Sequence, residues 1–566
     1  MPFRTKYLTY DEMARTMKGW ADAHPDFVRL TSIGKSPEGR EFLLLVIGRD
    51  RDRVRPAAWV DGNMHATELC GSSVALAIAE DVIALHSGKK TVRDLPEHVC
   101  DRLRETLFYV LPRMCPDGVE AVLREGRYVR SNPRDTRHHA PTPRWKLGDV
   151  DGDGATLVMR QQDPNGDYVE HEDMPGLLLP RRLEDTGPFY KIYPEGTIEN
   201  FDGVTIPDPH YLSDNDTDMN RNFPWSWAPE HEQTGAGKFA TSEPEARAVV
   251  EFAMAHPNIF AWLNLHTFGG CHIRPLGHAP DSKMDPSDLA LYNQLEAWGQ
   301  EYTGYPTVSG YHDFLYEPDK PLHGDEVDFA YHQRGAFAYT TELWDLFAQL
   351  GISRKKPFTD HYRVLTHDDL VALARWDKDK NSGRIVRPWK KVTHPQLGEV
   401  EVGGMNGLVG ISNPPYEMIA DICERHSKMF LRIAALGPEL RILPVRTARL
   451  GESGWRVEVS VENRGYLPTH ILSSAKQLSE DARIFATCEA TNTKGGAKLV
   501  SDARVEVGHL SGWGRGLYDA GSSIFHQRSR GSGSRRVVSF TGEGHGVLQI
   551  RAAGLRTGSV LTSVEV

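Results

Sequence analysis

The segment GNMHATELCG, residues 62–71, sets His65 three residues before Glu68, directly after the apolar run AAWVD. An imidazole and a carboxylate at that spacing can share one metal ion. A catalytic zinc site needs three protein donors, with a fourth position left open to water. Both residues follow a strand-like run and so fall beyond its carboxyl end, the edge at which open α/β sheets bind ligands. The third donor has to stand on another strand end. His266 in FAWLNLHTFGG meets that condition, closing an apolar run just before Gly269 and Gly270. Taken singly, each has an ordinary structural reading. A His-x-x-Glu pair arises by chance in a chain of 566 residues, and a histidine after a strand is commonly a hydrogen-bonded structural residue.

Further residues carry related chemistry. Asn220 and Arg221, in DTDMNRNFPW, place an amide beside a guanidinium, a pair able to clamp a carboxylate, the arginine in bidentate fashion. Glu342, in AYTTELWD, ends another apolar run and is suited to a general base, an N-cap or a salt bridge. Asp149, Asp151 and Asp153, followed by Gly154, match the opening of a calcium (Ca2+) loop. The twelfth position of that loop is Arg160 rather than a bidentate Glu, so Asp163 or Asp167 would have to complete a different shell. Asp–Gly repeats also form metal-free Asx turns. His138 and His139 are sequence neighbours that would not face the same way on a regular element, and they read as surface histidines.

The elements that must position these residues are legible in outline. EFLLLVIG, RPAAWVDG, ETLFYVLPRM, FAWLNLHT and GAFAYTTELWD read as short buried strands. Between them, Val74, Ile78, Val82 and Leu85 recur at helical spacing, and Gly88 ends the pattern. Strands alternating with helices predict an α/β sheet covered on both faces. Residues 131–210 are rich in Pro, Gly, Asp and Arg and read as a long, partly ordered insertion, expected to wall a cleft and restrict substrates. After about residue 436 the texture becomes all-β: in GWRVEVSVENRGYLPTH, Trp455, Val457, Val459 and Val461 alternate with polar residues, as in an antiparallel sandwich. The organisation is thus a first unit over 1–435 and a β-sandwich over 436–566.

The whole-chain balance excludes several classes. Formal net charge is -11, with both signs interspersed and no basic stripe, which argues against nucleic acid as a partner. There is no secretion signal and no apolar run long enough for a membrane helix. Six cysteines without a CxxC pair argue against a disulfide scaffold. A cytoplasmic location is the expectation.

Taken in order, the pieces resemble one family. His65-x-x-Glu68, CPDG at 115–118, Arg130 twelve residues past Gly118, Asn220–Arg221, His266 and the closing segment DFAYHQRGAFAYTTELWD are similar to the zinc carboxypeptidases of the carboxypeptidase A type. IGKSPEGREF resembles that family's opening segment, and the resemblance runs to about residue 380. It implies a mixed, mostly parallel sheet with zinc (Zn2+) bound by His65, Glu68 and His266. It implies Glu342 as general base, Arg130 as oxyanion stabiliser, and Asn220 with Arg221 as holders of the free C-terminal carboxylate of a peptide substrate. The family's mobile tyrosine falls at Lys320, leaving Tyr316 to reach inward if the loop is rearranged, and Thr67 stands in place of a frequent arginine. Val327 matches a pocket-lining position, and its apolar side chain implies an apolar or aromatic terminal residue. The peptidase-like unit is expected to begin almost at the first residue, and no inhibitory pro-domain is expected ahead of it. The expected function is a metallocarboxypeptidase. A deacylase or amidase acting on N-acyl amino acids or murein peptides is the alternative, partly because of NRNFP. A non-catalytic binding protein, with the sandwich as its working part, is disfavoured because all three ligands and Glu342 are present.

Overall fold

The computed structural model describes residues 1–134, 142–208, 217–317, 320–363, 365–478, 482–514, 516 and 531–566, so His138 and His139 lie outside the described residues. Its centre is an eight-stranded sheet built from β1 (Val28–Lys35), β2 (Glu41–Ile47), β3 (Ala57–Gly62), β4 (Leu107–Leu111), β5 (Ile259–Thr267), β6 (Cys271–Arg274), β7 (Thr307–Ser309) and β8 (Phe337–Leu343). Their order is β1-β2-β4-β3-β5-β8-β6-β7. The middle strands β4, β3, β5 and β8 run parallel, while β1 and β2 on one side and β6 against β8 on the other are antiparallel.

The five apolar runs became β2, β3, β4, β5 and β8 because both faces of this sheet are covered, so their strands need no polar side. Alternate residues serve opposite layers. Ala58 and Val60 of β3 join Leu45 and Ile47 of β2 on one face, while Ala57 and Trp59 join Leu44 and Val46 on the other. Helix α1 (Cys70–His86) covers the first face, and α2 (Pro244–Ala255) supplies Ala246, Val249 and Ala253 to the second. The apolar stripe of α1 is buried as its spacing predicts. So is most of its other side, because α3 (Ile419–Ala434) packs on it from outside. Gly88, at φ +108°, follows the last turn.

The insertion is more ordered than its composition suggests. Strands Val158–Gln162, Phe189–Pro194, Tyr168–Glu170 and Leu178–Pro180 extend a hairpin formed by Val386–His394 and Gly398–Met405, giving a six-stranded sheet. Trp145, Met159 and Ile198 close one small core with Val400 and Val402. Arg160 is almost fully buried there: it pairs with Glu170 at 2.8 Å and Glu401 at 2.7 Å, and its guanidinium lies over the Tyr190 and Trp389 rings. Part of what orders this segment, including Trp389, Val400, Glu401 and Val402, lies beyond residue 385, out of reach of any local pattern.

The C-terminal sandwich is made from one continuous seven-stranded sheet rather than two. Strands Ile484–Leu499 and Arg535–Gly554 pair with each other from Phe485 to Leu499, with register shifts between Ala490 and Gly496, and Gly496 and Gly544 each adopt φ +79°. Val457, Val459 and Val461 meet Phe540, Leu548 and Ile550 inside, in the alternation read from sequence. Arg556 from this unit is buried against the first, donating to the carbonyls of Ile259, Gly335 and Arg334. No helix among the described residues is long and apolar enough to cross a membrane, and all six cysteines are buried free thiols.

Candidate active site

The corner that follows β3 is fixed before any ligand enters it. Gly62 and Gly71 pass so closely that a Cβ on Gly62 would lie 2.7 Å from the Gly71 carbonyl carbon. Asn63, at φ +54°, donates to the Glu68 carbonyl at 2.8 Å. From far along the chain, Asn413 donates to the Thr67 carbonyl at 2.6 Å and accepts the Cys70 N–H at 3.0 Å. His65 and Glu68 are thereby held by backbone contacts on both sides.

His266 ends β5, one strand away, and the three side chains converge. Glu68 Oε1 lies 2.8 Å from His65 Nδ1, Glu68 Oε2 lies 2.9 Å from His266 Nδ1, and the two Nδ1 atoms are 3.0 Å apart. The outer ring nitrogens fix the tautomers. His65 Nε2 is 3.1 Å from Asp218 Oδ1, and an ionised carboxylate can only accept. His266 Nε2 is 2.6 Å from Asn264 Oδ1. The Asn264 amide cannot be flipped, because its Nδ2 donates to Asp61 at 2.6 Å and to Glu326 at 2.9 Å. Both imidazoles therefore carry N–H on the outer nitrogen and turn a lone pair inward. Two lone pairs and a carboxylate facing one point repel unless a cation sits among them, so the donor set fits a tetrahedral metal with one open position.

Glu342 is the register partner of His266 across the parallel β5–β8 pair. Its side chain makes no hydrogen bond among the described residues. Burial, and then the Glu68 charge, pushes its carboxyl well above the usual carboxylate range, with Arg130 opposing. Arg130 bridges Asp218 at 3.1 Å and Glu68 at 3.2 Å. Asn220 Oδ1 accepts the Glu326 N–H at 3.0 Å, which leaves its amide N–H groups for a ligand. Among the described residues, Arg221 has only the Asn220 carbonyl, at 2.7 Å, as a hydrogen-bond acceptor for its guanidinium.

One cavity is lined by all of these: His65, Glu68, His266, Glu342, Arg130, Asn220 and Arg221, together with Tyr316 and Val327. Tyr316 rather than Lys320 lines it; the residue as a whole is exposed, and desolvation of its hydroxyl end in the cavity pushes that group up to about 12, against the pull of Arg130. Lys320 is exposed and pairs with Glu317. Among the described residues no side chain of the 131–210 insertion lines the cavity, so the expected wall is not built from it: its strands are committed to the separate six-stranded sheet. The Asp149, Asp151 and Asp153 carboxylates lie outside the cavity and are already engaged. Asp149 accepts N–H groups from Gly152 and Gly154, Asp153 accepts that of Ala155, and Asp151 pairs with Lys390. This is a hydrogen-bonded Asx loop; its three carboxylates bring oxygens within 4.8 Å of one another, but such exposed acidic clusters are common without an ion and calcium is not supported.

Sequence reading missed Asp218, Asn264 and Asn413. Asp218 stands two residues before Asn220, and Asn264 two before His266, where strand periodicity puts it on the same face; either offset is a usable signal. Nothing near Asn413 hints at its role.

A family model described as zinc carboxypeptidase matches residues 13–182 and 199–349, more than half of the chain. The chain belongs to the zinc carboxypeptidase family. Residues 439–565 match a second family model, described only as a domain of unknown function. Among curated relatives, carboxypeptidase B from Astacus astacus is 26% identical over 172 residues, covering 30% of this chain and 48% of the relative. Carboxypeptidase A4 from Mus musculus is 22% identical over 345 residues, covering 60% of this chain and 63% of the relative. The matches to the first of these relatives span about half of their length or less. Bovine thrombin-activatable fibrinolysis inhibitor, in complex with tick carboxypeptidase inhibitor, aligns at a TM-score of 0.41 and 14% identity, covering 76% of this chain and 97% of that one.

Proposed function

We propose that this zinc carboxypeptidase family member is an active metallocarboxypeptidase that removes the C-terminal residue of peptides. The observation that carries the reading is that Glu342, free of hydrogen bonds, faces the same cavity as the three convergent donors and the Asn220–Arg221 clamp. Zinc, when bound by His65, Glu68 and His266, supplies a Lewis acid that acidifies water and polarises a carbonyl. Arg221 and the free amide N–H groups of Asn220 take the substrate's terminal carboxylate, which sets the register so that only the last peptide bond reaches the metal. Glu342 accepts the proton of the attacking water and returns it to the departing amine. Its burial favours this by keeping its proton affinity high. Arg130, held in place by Asp218, stabilises the negative charge that grows on the carbonyl oxygen. Tyr316 is the candidate to contact the substrate from the solvent side of the cavity.

The test uses the full chain loaded with zinc and matched peptides ending in a free acid or an amide. Cleavage confined to free acids, one residue at a time, is expected. Equal cleavage of amidated peptides would remove the role given to Arg221. Turnover of N-acyl amino acids alone would favour a deacylase.

A further inference from the structure

Away from the three convergent donors, the protein assembles a second set of metal-type side chains that the proposed chemistry does not use. Asp328 and His332 are four residues apart in the continuous helical segment Glu326–Gln333, so they share a face of it. His278 reaches the same point from the chain that leaves β6, four residues beyond Arg274. Each of the three offers one ligand atom, and those atoms all lie within 4.8 Å of one another. His278 Nδ1 is 2.7 Å from Asp328 Oδ2.

The corner is short of positive charge. Asp328 is fully buried, and among the described residues its carboxylate has only the Gly277 N–H, at 3.1 Å, and His278 as donors. No lysine or arginine among those residues pairs with it. A second carboxylate stands beside it: a Cβ on Gly277 would lie 3.7 Å from Asp328 Oδ2 and 3.2 Å from Asp325 Oδ2. Asp325 Oδ2 is buried with no hydrogen-bond partner. His332 is uncommitted as well. Its ring stacks on Trp225 at 4.2 Å, 13° from parallel, and its Nε2 is buried without a hydrogen-bond partner. Stacking occupies the face of that ring and leaves its nitrogen-bearing edge for a ligand. Trp225 also stands at 6.1 Å from the His278 ring, edge to face, so one indole packs against both imidazoles. Buried polar atoms without partners are costly unless something supplies the missing contact.

We propose that His278, Asp328 and His332 bind a second divalent ion of the zinc type, separate from the one assigned to His65, Glu68 and His266. Two imidazoles and one carboxylate suit zinc with water in the fourth position, whereas calcium and magnesium favour all-oxygen shells. The proton between His278 Nδ1 and Asp328 Oδ2 leaves as the ion enters, because a ligating imidazole nitrogen must offer its lone pair. The ion ties the chain leaving β6 to the helical segment that carries Val327. Gly277, Val327 and Asp328 all line the cavity together with Arg221. The second ion is therefore a brace for the wall of the cavity and takes no part in hydrolysis.

The experiment titrates zinc into the metal-free full chain by calorimetry, with elemental analysis of the bound metal. Wild type is expected to take two ions per chain. His332→Phe, which keeps a ring on Trp225, and His278→Gln, which keeps a donor for Asp328, are each expected to lose one ion and keep the other. His266→Ala is expected to lose only the ion of the catalytic site. Melting curves in chelator are expected to coincide for wild type and the first two variants, and with zinc present wild type should melt higher than either. If one of those variants melts lower in chelator, the ion count from the other decides. Zinc-edge anomalous scattering from wild-type crystals needs no variant: a second peak among His278, Asp328 and His332 is expected, and its absence overturns the proposal. An ion count that is the same in wild type, His332→Phe and His278→Gln overturns it too. A single ion that persists in His266→Ala and is lost from the other two variants upholds this site while the catalytic metal site fails.

Discussion

His65 Nδ1 and His266 Nδ1 stand 3.0 Å apart, each with its other ring nitrogen committed to an acceptor. Neither ring can turn its N–H inward without giving up Asp218 or Asn264, so their lone pairs face the same point as the Glu68 carboxylate. Asp218 and Asn264 thus orient the candidate metal ligands. Replacing Asp218 with Ala should weaken zinc binding by about 10–100-fold, since second-layer partners typically have effects of that size. Competition against a chromophoric chelator measures it; unchanged affinity would mean that Asp218 serves only Arg130.

Glu342→Gln should keep zinc at one per chain and lower kcat by about 10²–10⁴-fold, the usual worth of a positioned proton carrier. Metal analysis and steady-state kinetics on the same preparation separate the two effects. Loss of zinc would recast Glu342 as a ligand.

Asn413 is fully buried and ties down Thr67, Cys70 and Leu408. Asn413→Ala would leave the Thr67 carbonyl and the Cys70 N–H unpaired. The expected destabilisation is about 2–6 kcal/mol, from about 1–3 kcal/mol for each of the two buried unmet groups. Urea denaturation reads the loss. A loss under about 0.5 kcal/mol, the range of an ordinary surface substitution, would show that the corner stands without it.

His272 is a buried neutral imidazole. The Thr303 hydroxyl donates to Gly299, so it accepts from His272 Nε2, and Nδ1 then takes the Thr341 hydroxyl proton. Burial pushes its pKa down to about 3. Between the unfolded value of about 6.5 and about 3, the unfolded chain binds the extra proton, so stability falls as pH drops through that window, by up to about 1.4 kcal/mol per pH unit. Above about 6.5 both states are neutral and the contribution is flat. A His272→Gln variant should therefore lose melting temperature less steeply than wild type between pH 6.5 and 4. Parallel slopes would refute this assignment.

His65, Glu68, His266 and Glu342 were legible because each follows an apolar run, and a parallel sheet delivers such strand ends to a common edge. What the sequence concealed was pairing at a distance. Asp218 meets His65 across 153 residues, and only its offset from Asn220 could have suggested a role. The insertion resembled a loop because its strands are short and their apolar faces close against Val400 and Val402. Alternation in the C-terminal region was plain, but the register shifts between Ala490 and Gly496, where the long strands still stay paired, leave no periodic trace. Val327 suggested an apolar pocket, but the polar and charged residues around it, among them Asn220, Arg221 and Asp328, come together only once the cavity is assembled.

The six-stranded sheet also imposes a timetable on synthesis. Arg160 waits for Glu401, which leaves the ribosome 241 residues later. At about 5–20 residues per second, the nascent insertion spends roughly 10–50 s with an unpaired edge before its hairpin emerges. A chain stopped short of residue 386 would keep that edge permanently, exposed to any other strand it meets.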